Sequence, residues 1–382
     1  MSRFLIFYFV FYGGANVYFY LKIWFALPLS RRARLFLALP LALLFSAPLL
    51  ARTLDAQGFE LTAEAASFAG YWWMGLLFLF ICASLPIDLV NLIILTGKRL
   101  VKNGLTATIP PRTAVIVPAV YAAVVATYGY HEARDIRTEQ VTIQTAKIPA
   151  SVGRIRIVQI TDVHAGQIVR EQRIREILRV VAATSPDLIV STGDLVDGHQ
   201  RHFTGLEPLF RELRPRLGTY AVTGNHEYYI GLDKSVKFTV DAGFRLLMDE
   251  TAVIGDYLTI SGLADPGRMD HDPTRESTEQ KLLATTDRKR FLLLLKHRPS
   301  VAQASLGKVD LQLSGHVHKG QIFPFNFLTW LAYPIRTGLT DLGSGSRIYV
   351  SRGTGVWGPP IRFLAPPEVT VIDLVPELKS AR

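Results

Sequence analysis

The sequence predicts an α/β domain with mixed sheets, preceded by an all-α membrane region of about four transmembrane helices. Three observations predict it. Long apolar runs fill the chain up to Tyr130. From about residue 150, strand-type and helix-type patterns alternate. Five apolar strands in that second part each end in Asp, Asn or His.

The apolar part is visible in composition. Of 382 residues, 49% are hydrophobic, and mean hydropathy is +0.23, high for a soluble protein. The net charge of +10 is uneven, with ten Lys/Arg against four Asp/Glu up to Tyr130 and near balance beyond. The basic character therefore reflects charges flanking apolar runs. No Lys/Arg run carries interleaved aromatics, so no nucleic acid is expected as a partner. The single cysteine, Cys82, excludes an internal disulfide and a Cys-based metal site.

Four spans are expected, at about 4–27, 35–51, 66–96 and 113–130. The first is too long for a signal peptide and has no clear cleavage pattern after it. The second contains Pro40 and Pro48, which membrane helices tolerate. Arg31, Arg32 and Arg34 follow the first run, whereas Asp55, Glu60 and Glu64 follow the second. Lys98, Arg99, Lys102 and Arg112 follow the third. Positive loops stay cytoplasmic. A multi-pass protein of a bacterial-type cell membrane is thus expected, with its second domain extracytoplasmic. The third span is expected to end near Pro86, leaving Asp88 and Asn91 at the interface rather than as functional groups at membrane depth. The domain boundaries read as 1–133 for the membrane region, 134–149 for a linker and 150–382 for the α/β domain.

In that domain, "RIRIVQIT", "DLIVSTGD", "GTYAVTGNH" and "RFLLLLKH" read as strands, and "TAVIGDYLTISGL" as a hairpin. The strand ends carry the chemistry. "IVQITDVH" delivers Asp162 and His164, "LIVSTGDLVD" Asp194 and Asp197, and "AVTGNHE" Asn225, His226 and Glu227. "LLLLKHRP" delivers His297, and "LQLSGHVH" His316 and His318. Ligands of α/β sheets bind outside such ends. Singly, each group reads as a turn, a cap or a structural histidine. Together, Asp162, His164, Asp194, Asn225, His297, His316 and His318 are too many for one zinc with an open position. They suit two divalent metals, which can hold a hydroxide between them and clamp a phosphoryl group. Without thiolates, the set tolerates Mn, Fe, Zn, Co or Ni.

The order D-x-H, G-D-x-x-D, G-N-H-E, H and G-H-x-H resembles the calcineurin-like metallophosphoesterase family over roughly residues 150–377. The tail "RIYVSRGTGVWGPPIRFLAPPEVTVIDL" resembles its membrane-associated branch, near the bacterial YkuE and YaeI proteins. The resemblance implies a two-sheet αββα sandwich with the site at one edge. It implies Asp162, His164 and His318 on one metal, Asn225, His297 and His316 on the other, and Asp194 as the bridge. It also implies His226 facing the phosphate, with Asp197 orienting and charging it. The branch often has glycine where Lys319 stands, so substrate contacts are the expected point of difference.

Arg298, Lys319 and Arg352 could each contact a phosphate or simply be solvated beside their strands; Lys319 and Arg352 are taken as the candidate substrate contacts, and Arg298 as solvated. His199 and His202 are expected in a solvated loop, and His131 at the interface. Asp265, Asp270 and Asp272, with His271, read as a surface loop. "HEARD" and "HEYYI" lack the second histidine of a zinc-peptidase helix.

These features imply a membrane-anchored di-metal phosphoester hydrolase. Four spans exceed what an anchor needs, so a lipid phosphoester or pyrophosphate leads as substrate. A tethered phosphodiesterase acting on a soluble nucleotide or phosphodiester is one alternative. A transporter or sensor with a metal-binding regulatory domain is another. Oligomeric state has no signal. The segment "QIFPFNFLTWLAYPI" follows the last ligand pair directly. It reads either as a buried core loop or as an interfacial loop bringing the metals to the bilayer.

Overall fold

A helix satisfies its own backbone hydrogen bonds, so a long apolar helix can cross a bilayer at little polar cost. In the computed structural model, which describes residues 5, 6, 8–100, 107–267, 272 and 274–377, three helices meet that criterion. Phe4, Phe7, Lys102, Asp270, His271 and residues 378–382 lie outside the described residues. By contact the chain forms two units. One comprises Met1–Glu132 with Gly358–Phe363; the other comprises Ala133–Trp357 with Leu364–Arg382.

The first unit opens with a π-helical turn, Tyr8–Gly13, continued by α1 (Gly14–Ala26). The three long apolar helices follow: α2 (Arg31–Ala56), α3 (Glu60–Leu100) and α4 (Thr113–Glu132). Ser30 caps α2, its Oγ accepting from the Ala33 amide. Leu35, Phe36 and Leu39 on α2 are all more than 70% exposed, the reverse of a water-soluble helix. Polar groups are paired instead. Trp73 Nε1 donates to Asn16 Oδ1 at 2.8 Å, and the Asn91 carboxamide bonds both polar groups of the Ile109 backbone. Helix α3 runs unbroken through Pro86. Asp88 lies in the helix beyond it, where it pairs with Lys22 at 2.8 Å and accepts from the Tyr18 hydroxyl. The segment Gly358–Phe363 packs against α3 and α4 at two glycines. A Cβ on Gly129 would stand 2.6 Å from Arg362 O, and one on Gly75 2.7 Å from Ile361 Cδ1.

The second unit begins with β1 (Arg137–Thr145), inside the stretch expected as a linker. This strand pairs in parallel with the last one, so 134–149 is part of the domain rather than a spacer. There follow β2 (Ile155–Ile160), α5 (Glu171–Ala183), β3 (Leu188–Ser191), α6 (Glu207–Arg211), β4 (Thr219–Ala221), α7 (Asn225–Ile230) and α8 (Leu232–Asp241). Then come β5 (Arg245–Leu246), β6 (Glu250–Ile254), β7 (Leu258–Leu263), α9 (Thr274–Ala284), β8 (Phe291–Lys296) and β9 (Leu311–Ser314). The chain closes with α10 (Asn326–Ala332), β10 (Gly338–Gly343), β11 (Ser346–Val350) and β12 (Glu368–Pro376). One sheet has the order β1-β12-β2-β3-β4-β5, the other β10-β11-β9-β8-β7-β6.

Side chains alternate across a strand, and here both faces are covered. Ile155, Ile157, Leu188 and Val190 pack between the sheets against Ile260, Leu293 and Leu311. Val158, Ile160 and Ile189 face the other way, against Ile174, Ile177 and Val181 of α5 and Phe238 of α8. Leu283 of α9 covers Leu292 and Leu294 on the far sheet. The layers are helix, sheet, sheet, helix, as expected.

The outer strands of the first sheet are tied by one carboxylate. Arg156 grips Asp373 with Nε and Nη2, each at 2.8 Å, and Gln140 of β1 donates to the same group at 3.0 Å. The Arg156 bonds hold the Asp373 carboxyl below its usual range, against a smaller opposing effect of burial. A depressed carboxylate pKa stabilises the fold above the unfolded value near 4, and that contribution is lost as pH falls through the folded value. Asp373→Asn is expected to cost about 1–3 kcal/mol at neutral pH. Thermal melts in detergent should show the deficit at pH 7 and a narrower gap from wild type below pH 4.

Candidate metal centre

Strands place the site. The loops after β2, β3, β4, β8 and β9 meet at one edge of the paired sheets, and each brings polar groups. Asp162, His164, Asp194, His316 and His318 all have positive φ, between 46° and 72°. This left-handed conformation costs of order 1–3 kcal/mol per residue and persists only where the surroundings impose it. Main-chain bonds between neighbouring loops impose it here. Asp162 N–H donates to Gly193 O and His164 N–H to Asp194 O, each at 3.0 Å. Two glycines admit the approach. A Cβ on Gly224 would lie 2.2 Å from Asp194 Oδ1, and one on Gly315 equally close to Asp162 Oδ2.

All seven predicted donors converge on two foci. Asp162, His164 and His318 form one, and Asp194, His297 and His316 the other, while His164, Asp194 and His226 make a third grouping that links them. Asn225 Oδ1 reaches the second focus, 3.2 Å from His297 Nε2. Asp194 Oδ2 stands 3.2 Å from His297 Nε2 and 3.9 Å from His164 Nε2, so it faces both. Nearly every group is buried.

The donor set fits cations. His164 Nε2 and His318 Nε2 face each other at 3.1 Å, and His318 Nε2 lies 3.3 Å from Asp162 Oδ1. His297 Nδ1–H donates to Thr192 O at 2.8 Å, which turns Nε2 into the site, where a proton or a cation can occupy it. That nitrogen then meets His316 Nδ1, Asn225 Oδ1 and Asp194 Oδ2, each at 3.2 Å. Lone pairs crowded this way call for positive charge between them. Nitrogen and oxygen donors without sulfur suit divalent first-row metals.

The calcineurin-like phosphoesterase profile matches residues 155–320, which contain all seven donors. An uncharacterized metallophosphoesterase of Aquifex aeolicus is 37% identical over 254 residues, covering 66% of this chain and 97% of that protein. The chain belongs to the calcineurin-like phosphoesterase family. The metallophosphoesterase YkuE of Bacillus subtilis is 34% identical over 65% of this chain and 89% of its own length. A transmembrane protein with a metallophosphoesterase domain from Danio rerio is 31% identical over 68% of this chain. The alignment spans only 62% of that zebrafish protein. As a member of the family, the protein is a metal-dependent phosphoesterase, and its His/Asp clusters are compatible with a dinuclear divalent site.

Beside the phosphoesterase donors sits a second pair. His226 Nδ1 lies 2.9 Å from Asp197 Oδ1, and the His226 ring meets the His164 ring edge-on at 4.6 Å. Burial works to lower the His226 pKa, but Asp197 and Asp194 outweigh it and raise it to about 9. Burial likewise opposes, and Asp194 overcomes, the shift of His297 to about 10. Burial and the neighbouring His297 push His316 well down. Burial pushes Asp162 up, and His297 pulls it back only in part. The site is thus a negative enclosure in which protons and metal cations compete for the same lone pairs.

Arg352, a candidate phosphate contact, is engaged by carboxylates of this chain. Its guanidinium pairs with Glu139 and Glu368, bridging β1 and β12. Arg298 and Asp265 were expected at the surface, but both are buried and bonded to each other at 2.9 Å. Lys319 follows His318 directly and is half-buried. Among the described residues, the donor clusters do not include His199 or His202.

Glu227 is the residue whose part the motif alone did not reveal. It is buried, and its carboxylate accepts from the amides of Gly224, Asp194 and Leu195 at 2.7, 3.0 and 2.8 Å. One side chain therefore fixes the β3 turn against the start of α7. The available signal was position, since a Glu three residues after a helix N-cap reaches back to backbone amides. Glu227→Ala is expected to weaken metal binding about 10–100-fold, the usual cost of losing a group that orients ligands. Metal content after dialysis against graded chelator, measured on protein with wild-type circular dichroism, checks this.

Proposed function

We propose that the protein is a membrane-anchored hydrolase that uses two divalent metals to cleave a phosphoester or pyrophosphate of a lipid. The observation that carries the reaction type is the convergence of seven N/O donors on two foci beside the His226–Asp197 pair. In this reading, Asp162, His164 and His318 hold one metal, Asn225, His297 and His316 the other, and Asp194 serves both. When bound, the metals acidify water and neutralise charge on the phosphoryl oxygens.

The chain's own groups do the rest. Asp197 accepts the hydrogen bond of His226 Nδ1–H and so fixes which ring nitrogen faces the substrate. Water, giving up one proton to solvent, attacks phosphorus in line with the leaving oxygen as the P–O bond breaks. His226 Nε2 gives its proton to the departing alkoxide or phosphate and afterwards regains one from solvent. In this reading Lys319, one residue beyond His318, is the candidate to meet a substrate oxygen. The lipid assignment rests on the three long apolar helices and on the transmembrane description of the zebrafish relative.

Asp194→Ala and Asn225→Ala should each abolish metal-dependent phosphoester hydrolysis, and full activity in either would refute the ligand assignment. His226→Ala should keep its metals and lose about 10²–10⁴-fold in kcat. Phosphate release paired with metal analysis of the purified variants separates the two classes. For orientation, the proposal retains four spans with the α/β domain extracytoplasmic. A reporter fused after Arg382 that works only in the cytoplasm should be silent.

A further inference from the structure

The segment after the last ligand pair is not a core loop. Helix α10 has no buried residue at all. Phe327, Leu328, Trp330 and Leu331 are 56–75% exposed, and Phe323 and Phe325 add to the same stretch. Folded domains rarely leave so much apolar surface to water unless something covers it.

We propose that Ile322–Ile335 is a membrane-surface anchor, seating α10 among the headgroups of an anionic bilayer and holding the metal centre at the lipid surface. The proposal deepens the lipid reading above, which it needs for the substrate but not for the docking.

The segment is firmly rooted in the site. A Cβ on Gly320 would lie 2.3 Å from the Asn326 amide nitrogen, so the turn after His318 closes directly onto α10. At the other end, the Tyr333 ring meets the His316 ring edge-on at 5.3 Å. Tyr333 and Ile335 pack on buried Val317, Ile348 and Val350. Whatever α10 rests on is therefore held at a fixed remove from two metal ligands.

Three features choose a bilayer over a protein partner. The segment carries no charged residue, and its Trp and Tyr are the side chains that favour headgroup depth. Lys319 and Arg336 flank it, and no acidic residue occurs between Lys319 and Asp341, which complements anionic lipid. Its root is also bonded to a residue that leads, along the chain, to the segment grouped with the apolar helices. The Gln321 carboxamide bonds both the N–H and the C=O of Trp357, each at 2.8 Å. The next residue, Gly358, opens the segment that groups with the membrane helices. A lipid surface is consequently always present at high effective concentration.

The test uses the full chain in vesicles, with Cys82→Ala removing the native thiol. Phe327→Cys and Leu331→Cys, each in that background, carry an environment-sensitive fluorophore, and Lys237→Cys on α8 is the control. The vesicles contain phosphatidylcholine and phosphatidylglycerol, with a nitroxide lipid at headgroup depth. Blue-shifted emission and quenching at 327 and 331, stronger with phosphatidylglycerol and absent at 237, are expected. Unquenched emission like that at 237 overturns the proposal. A blue shift without quenching also overturns it, because protein then covers the helix. In a second arm, Phe325→Ser/Phe327→Ser/Trp330→Ser should lower turnover of a vesicle-borne lipid phosphate, relative to a soluble aryl phosphate, by about tenfold or more. If the wild type cleaves only the soluble compound, the lipid reading falls while the quenching result still decides the docking.

Discussion

Unshared electron pairs crowded into a dry interior are the constraint on which this structure depends. His164 and His318 present nitrogen to nitrogen at 3.1 Å, and His297 Nε2 faces three acceptors at 3.2 Å. In a medium of low dielectric such groups repel unless positive charge lies between them. Protons can meet part of the need, which is why His226 and His297 are pushed upward. Seven donors gathered around two foci are better met by two divalent ions than by shared protons. Metal binding and the stability of this edge of the domain are then one equilibrium.

The scaffold has to bear that repulsion before any cation arrives. It does so by separating the two tasks along each strand. The body of a strand such as Leu292–Leu295 is buried on both faces and supplies apolar burial. Only the residues past its end carry donors. Five of those donors sit in left-handed conformations, held by amide bonds between loops and by the Glu227 carboxylate. Strain is thus concentrated where the ligands must point, and the sheets behind it remain regular.

Much of this was legible in the sequence because it is local. A strand ending in D-x-H or G-H-x-H shows its polar groups within a few residues, and the seven singled out lie together at one edge of the sheets. What failed was non-local. Strand β1 is polar and half-exposed, and its partner β12 lies more than two hundred residues away, so 134–149 read as a linker. Arg352 looked free because its partners, Glu139 and Glu368, come from those same two strands. Arg298 and Asp265 hid each other in the same way. The helix after His318 was undecided for another reason: an uncharged apolar stretch reads alike whether protein or lipid covers it.

The register explains why that stretch stands where it does. Strand β11 runs parallel to β9, with Val350 beside Ser314, and β10 runs antiparallel to β11, with Gly338 beside Val350. Ser314 ends β9 and Gly338 begins β10, so the connection carrying α10 leaves and returns at the ligand edge. The chain after Val350 departs from that edge too, as its bonds from Thr354 and Gly355 to Thr161 and Asp162 show. One connection is the exposed aromatic segment. The other runs to the six residues that group with the apolar helices. Both can be elaborated without moving a ligand, since the donors belong to strand ends and the connections only border them. In this chain one of the two connections is elaborated with exposed aromatic and aliphatic side chains, a surface that the chemistry of a phosphoesterase does not itself require.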